Sequence, residues 1–129
     1  MVNVFFESLH DGVPLVIYGD GTASRDYVHV DDIASALQLA LEKEVPGGTV
    51  LHAASGVETS VTELADLCRK AAGKPGHPIE YHARRAGEVG RNFASYELAR
   101  ELLGYAPTVT REDGIPRTWK WFTDEVFRD

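Results

Sequence analysis

The sequence predicts a small α/β (α+β) domain, a mixed sheet with helices packed against it. Three observations point there. Strand-type apolar runs alternate with stretches whose apolar residues recur at helical spacing. Glycine, proline and capping residues punctuate the boundaries between them. Finally, 129 residues at 43% hydrophobic and 26% charged suit one ordinary globular domain, residues 1–129, with no internal repeat and no linker.

The elements follow in order. Val2, Phe5, Phe6 and Leu9 share one helical face, and Gly12 stops that helix. Leu15-Val16-Ile17-Tyr18 reads as a buried strand ending in the Gly19-Asp20-Gly21 turn. Tyr27 to Val30 is a second strand-type run, and Asp31-Asp32 sits where a helix cap belongs. Ile33, Ala36, Leu37, Ala40 and Leu41 then mark the apolar face of a helix that Pro46-Gly47-Gly48 terminates. Thr49 to Ala53 is strand-like, and Ala54-Ser55-Gly56 turns the chain. Ser60 and Glu63 have capping-box spacing, each able to satisfy the other's orphan backbone donor. The helix behind them buries Val61, Leu64, Ala65 and Cys68 and ends at Gly73-Lys74-Pro75. Ile79 to His82 alternates like a strand, and Ser95 caps a helix that runs to Leu103 before Gly104. Thr110 opens a last helix to about Phe127, which Pro116 should either kink or begin.

Composition excludes several function classes. Thirteen Lys and Arg against 20 Asp and Glu leave a net charge of −7, which argues against nucleic acid and anionic membranes as partners. The apolar run Val13 to Tyr18 is far shorter than the roughly 20 residues that span a bilayer, and the first residues lack a signal peptide's basic start. The lone Cys68 cannot form an internal disulfide and fits a reducing, cytoplasmic compartment. On the apolar face of its helix it reads as a buried structural thiol. His77 and His82 have no third ligand nearby, so no metal site is expected. His29 reads as a satisfied core histidine, and Trp119, Trp121 and Phe122 as packing.

Known catalytic motifs are missing. There is no Gly-x-Gly-x-x-Gly turn, no P-loop, no nucleophile elbow and no His-Glu-x-x-His. Gly19-Asp20-Gly21 lacks a third glycine and leads into a strand-type run.

One long stretch is far more specific. Leu15 to Ala34, read LVIYGDGTASRDYVHVDDIA, resembles a segment of the extended short-chain dehydrogenase/reductase family, the NAD-dependent nucleotide-sugar epimerases and dehydratases of the UDP-glucose 4-epimerase kind. The resemblance continues in order through His52-Ala53-Ala54-Ser55-Gly56, Thr59 to Leu64, Arg84 to Glu88, Ala99 to Pro107 and Trp119 to Phe122. It covers essentially the whole chain, but only the family's C-terminal, substrate-binding portion. What it implies is that part of the fold without its Rossmann domain.

The family's NAD(P) site and its Tyr-x3-Lys pair would lie outside this portion. The five tyrosines here are followed four places on by Thr22, Asp31, Arg85, Arg100 and Val109, never by lysine. No catalytic residue and no cofactor-binding residue is therefore expected in this chain.

The resemblance assigns substrate-binding roles instead. Arg25 matches the family's diphosphate-binding arginine in an Arg-Asp motif, and Arg85 a second one; an arginine fork suits phosphate oxygens because it binds two at once and stays charged. Glu88 falls where the family usually carries an aspartate that accepts from ribose hydroxyls. Val16 and Tyr18 would offer backbone groups to the base. The plainer alternatives are a surface pair of Arg25 with Asp26 or Asp31, a solvated basic cluster of Arg84 and Arg85, and an exposed Glu88.

The expected function is recognition of a nucleoside diphosphate sugar or nucleotide, inactive without a complementary Rossmann polypeptide. A stand-alone nucleotide-binding or oligomerisation module, or a remnant without activity, are the alternatives. Removing the Rossmann domain should bare apolar surface, with the N-terminal helix the expected place for it, and so favour a homo-oligomer.

Overall fold

The structure, a computed structural model, describes residues 1–127. In chain order it contains α1 (Val2–Asp11), β1 (Leu15–Tyr18), β2 (Ser24–Asp26), α2 (Val30–Glu42), β3 (Glu58–Ser60), α3 (Val61–Ala71), β4 (Ile79–His82), β5 (Arg91–Asn92), α4 (Glu97–Leu103) and α5 (Arg111–Trp121), which runs on into a π-helical turn, Phe122–Val126. The predicted mixed α/β class holds, with the strands divided between two small sheets. β1 pairs with β4 in parallel, while β2 lies between antiparallel β3 and parallel β5.

The main core forms where α1, α3 and α5 close over β1. Phe5, Phe6, Leu9, Leu15, Ile17, Val61, Leu64, Ala65, Cys68 and Ile115 are all buried in it. Each large side chain there contributes about 1.5–3 kcal/mol by leaving water. Trp119 and Phe122 meet the Phe6 ring edge-on at 5.1 and 5.5 Å, the packing role expected of them, whereas Trp121 remains 54% exposed. Cys68 is fully buried, and the loss of solvation pushes its thiol up to about 12.

A smaller core holds Ala36 of α2 against Ala99, Leu103 and Tyr105. Polar tethers join it to the rest. Asp32 is buried and accepts from the Thr108 and Val109 amides at 2.8 and 3.1 Å and from the Thr108 hydroxyl at 2.9 Å. Burial alone would raise its pKa, but these donors outweigh that and hold the carboxyl below the ordinary 3.8. The Tyr105 hydroxyl donates to the Ala54 carbonyl at 3.2 Å.

Several expectations need correction. The second strand is Ser24–Asp26 rather than Tyr27 to Val30, because β3 and β5 supply ladder partners only to the earlier residues. Its neighbour His29 is the cap of α2, its Nδ1 accepting from the Asp31 amide at 3.2 Å, so Asp31 and Asp32 lie inside the helix. Thr49 to Ala53 forms no strand, since no other segment among the described residues pairs with it. The α4 cap residue is Tyr96, although the Ser95 hydroxyl does accept from the Glu97 amide at 3.2 Å. Pro116 does not begin the last helix; Thr110 caps it, accepting from the Asp113 amide, and the proline sits inside. The largest correction concerns exposed apolar surface. Phe5, Phe6 and Leu9 of α1 are no more than 1% exposed, so the N-terminal helix is core. The bare apolar face is on α2, where Leu37 and Leu41 are 64% and 89% exposed.

Candidate functional site

The capping box at Ser60 is formed: its hydroxyl accepts from the Glu63 amide while the Glu63 carboxylate accepts from the Ser60 amide. This start of α3 also seats the turn after β1. Gly21 has φ +79°, and its carbonyl accepts from the Thr62 amide and hydroxyl, both at 3.2 Å. The turn is thereby fixed against α3, and β1 and β2 leave it in set directions.

β1 bonds to β4 along one edge only. The Leu15 and Gly19 amides donate to the Pro78 and His82 carbonyls at 3.0 and 2.9 Å. By the two-residue alternation of a strand, Val16 and Tyr18 turn their backbone groups to the opposite edge, which has no strand partner among the described residues. That is where a planar ligand could be met by backbone donors and acceptors.

Three of the five expected site residues gather beside this edge. The Arg85 guanidinium lies over the Tyr18 ring, 3.6 Å from its centroid, and Tyr18 and Glu88 line one cavity of about 320 Å³ with Asp20, Thr22 and Arg84. The Arg84 guanidinium donates to the Glu88 carbonyl at 3.2 Å, and both Arg84 and Arg85 are exposed. The Glu88 side chain is half-buried.

Arg25 is placed elsewhere. It lines a second cavity, about 290 Å³, with His52, Asn92 and Phe93. Its guanidinium donates to the Ser24 carbonyl at 2.6 Å and has no carboxylate partner among the described residues. The surface pair considered for it does not form. Asp26 instead accepts from the Ser55 amide at 3.0 Å, the Ser55 hydroxyl at 2.5 Å and the Gly56 amide at 3.0 Å. Asp31 stands 3.9 Å from Arg117.

A three-strand clamp holds this second region. Glu58 of β3 accepts from Ser24 of β2 and from the Arg91 Nε of β5, the latter at 2.7 and 2.8 Å. These donors, the Arg91 bond foremost, draw the Glu58 carboxyl below its ordinary 4.5. The strand that places Arg25 opposite Asn92 is therefore locked from both sides. Neither Asn92 nor Phe93 was singled out by the sequence, because a two-residue strand leaves no periodic signal.

Other candidates remain structural. The His77 ring meets the Val13 carbonyl at 2.7 Å, and no group of three metal-ligating side chains occurs among the described residues. Nor does any described glycine-rich turn open a helix as a Rossmann pyrophosphate site requires; Gly19 and Gly21 lead into β2.

The family model for GDP-mannose 4,6-dehydratase matches residues 5–118. A UDP-glucose 4-epimerase of Mycolicibacterium smegmatis is 38% identical over 125 residues, 97% of this chain but 39% of that protein. The crystal structure of a Thermotoga maritima UDP-glucose 4-epimerase with UDP-glucose superposes with a TM-score of 0.87 at 35% identity, covering 95% of this chain and 39% of the other. A Bacillus cereus UDP-glucuronic acid 4-epimerase in complex with UDP-glucuronic acid and NAD gives a TM-score of 0.88 at 26% identity, with 95% and 39% covered. The chain thus spans about two fifths of the length of these relatives, in their C-terminal portion.

Proposed function

The chain belongs to the extended short-chain dehydrogenase/reductase family of nucleotide-sugar epimerases and dehydratases, and from that premise we propose that it is the portion recognising a nucleoside diphosphate sugar. One observation carries the reading. In a chain with seven excess negative charges, Arg25 and Arg85 each face an open surface without a carboxylate partner among the described residues. Arginines left unneutralised in an acidic protein attract anions, and a diphosphate has two phosphates to share between Arg85 beside one cavity and Arg25 at the other.

The division of labour follows. Val16 and Tyr18 present backbone groups to the base, and Glu88 accepts from the ribose hydroxyls. Arg25 and Arg85 take the diphosphate. The hydride and proton chemistry, with NAD(P), belongs to a Rossmann portion, on the same or a separate polypeptide. The single buried thiol suits a reducing, cytoplasmic setting, and the exposed apolar face favours self-association of the chain alone.

The test is an activity assay with UDP-glucose and NAD. No turnover is expected from the chain alone, and turnover is expected when the uncovered N-terminal portion of a relative is joined to it. Turnover by the isolated chain would overturn the reading.

A further inference from the structure

We propose that Arg84 is a positioning residue for the nucleotide. It latches the loop between β4 and β5 so that the Glu88 carboxylate faces the ribose, and it thereby sets a preference for ribose over 2′-deoxyribose. The inference rests on the reading above and adds how Glu88 is aimed.

The loop, residues 83–90, has little backbone support of its own. Its ends are anchored: the Gly19 amide donates to the His82 carbonyl at 2.9 Å, and the Ser24 amide to the Gly90 carbonyl at 2.8 Å. Between those anchors, the one backbone bond among the described residues is long, from the Glu88 amide to the Arg85 carbonyl at 3.3 Å. It closes a turn in which Gly87 has φ +77°, a conformation that glycine takes without steric cost.

Arg84 adds the missing restraint. Its guanidinium donates to the Glu88 carbonyl at 3.2 Å. Both peptide groups flanking the Glu88 α-carbon are therefore held, the amide by the Arg85 carbonyl and the carbonyl by the Arg84 side chain. Peptide groups are planar, so restraining the two on either side restrains the direction in which the side chain leaves. Two glycines leave room for the latch. A β-carbon at Gly19 would stand 3.8 Å from the Arg84 stem, and one at Gly90 would stand 3.4 Å from its guanidinium.

The charges supply a second, independent argument. Glu88 follows two arginines within four residues and pairs with neither. Arg84 is engaged by a main-chain carbonyl and Arg85 by the Tyr18 ring. The half-buried Glu88 carboxylate stays on the cavity wall with no partner among the described residues. Kept out of ion pairs, it retains both oxygens as acceptors, and the two neighbouring hydroxyls of a ribose are donors that suit them. A 2′-deoxyribose offers only one of the two.

The experiment titrates the chain calorimetrically with UDP and with 2′-deoxy-UDP. Wild type should prefer UDP about 10-fold, the worth of one hydrogen bond to a charged group. R84M keeps the apolar stem, removes the donor, and should bring the two affinities to within about 3-fold of each other. E88A should lose the preference as well, and R84M/E88A should lose nothing more than E88A does. Without any ligand, the backbone order parameter of Glu88 should be about 0.85 in wild type and fall toward about 0.6 in R84M. R84M that weakens both nucleotides equally would make Arg84 a direct anion contact and overturn the proposal. So would a wild type without preference between the two, or an order parameter that R84M leaves unchanged. Should wild type bind neither nucleotide while the order parameter still falls in R84M, the recognition reading fails and the latch stands.

Discussion

Arg85 and Tyr18 stand 67 positions apart in the chain, yet the guanidinium lies 3.6 Å from the ring centroid. The contact joins the loop after β4 to the free edge of β1. At an exposed site such stacking contributes about 0.5–1 kcal/mol, enough to orient the guanidinium but too little to hold it permanently. The arginine is therefore poised over the edge that would meet a base and diphosphate. Substitution Y18L should weaken UDP binding a few-fold by releasing Arg85, and R85A should weaken it more. Calorimetry on both variants checks the order.

Asp32 is the main tether between the two cores. Removing its carboxylate strands two backbone amides and one hydroxyl, at about 1–3 kcal/mol for each buried group left unpaired. Urea denaturation of D32A should show a loss of at least about 3 kcal/mol. The folded pKa lies below the unfolded value of 3.8, so this contribution is complete above that value. It is lost as pH falls through the lower, folded pKa. The gap between wild type and D32A should narrow on acidification below about pH 4.

Gly21 carries a prediction about the turn that aims β2. A methyl group there would collide with the Thr62 hydroxyl, and φ is +79°. Left-handed backbone costs a residue with a side chain about 1–2 kcal/mol before any clash. Gly21→Ala should therefore lower stability by about 2–4 kcal/mol in chemical denaturation.

Cys68 should be chemically silent. With the thiol fully buried and pushed up to about 12, almost no thiolate exists at pH 8. A thiol reagent should label it only after denaturant is added, and labelling of the native protein would show that the main core opens.

Much of this fold is legible in the sequence wherever a local rule decides the outcome. Ser60 and Glu63 cap α3 because their spacing lets each reach the other's amide, and Ile79 to His82 pairs with β1 as a strand. Failures occur where a partner decides. Thr49 to Ala53 has strand composition without an edge to join, while Arg91–Asn92 is a strand only because β2 lies beside it. Reading α1 as the bared surface failed for the same reason: periodicity shows that Phe5, Phe6 and Leu9 share a face, not what covers it. For the site, motif resemblance singled out Arg25, Arg85, Glu88, Val16 and Tyr18, but not their division. Tyr18 and Glu88 line one cavity, with Arg85 stacked on Tyr18, whereas Arg25 lies at another beside Asn92 and Phe93.

The central claim is that this acidic chain holds a nucleotide diphosphate through its two unneutralised arginines. Calorimetric titration with UDP, dTDP and GDP, on wild type and R25A, tests it most directly. At least one nucleotide should bind measurably, and R25A should weaken it about 10- to 100-fold, the loss of a charged hydrogen bond of about 1.5–3 kcal/mol. Equal affinity in both proteins, or no binding of any of the three by wild type, would contradict it.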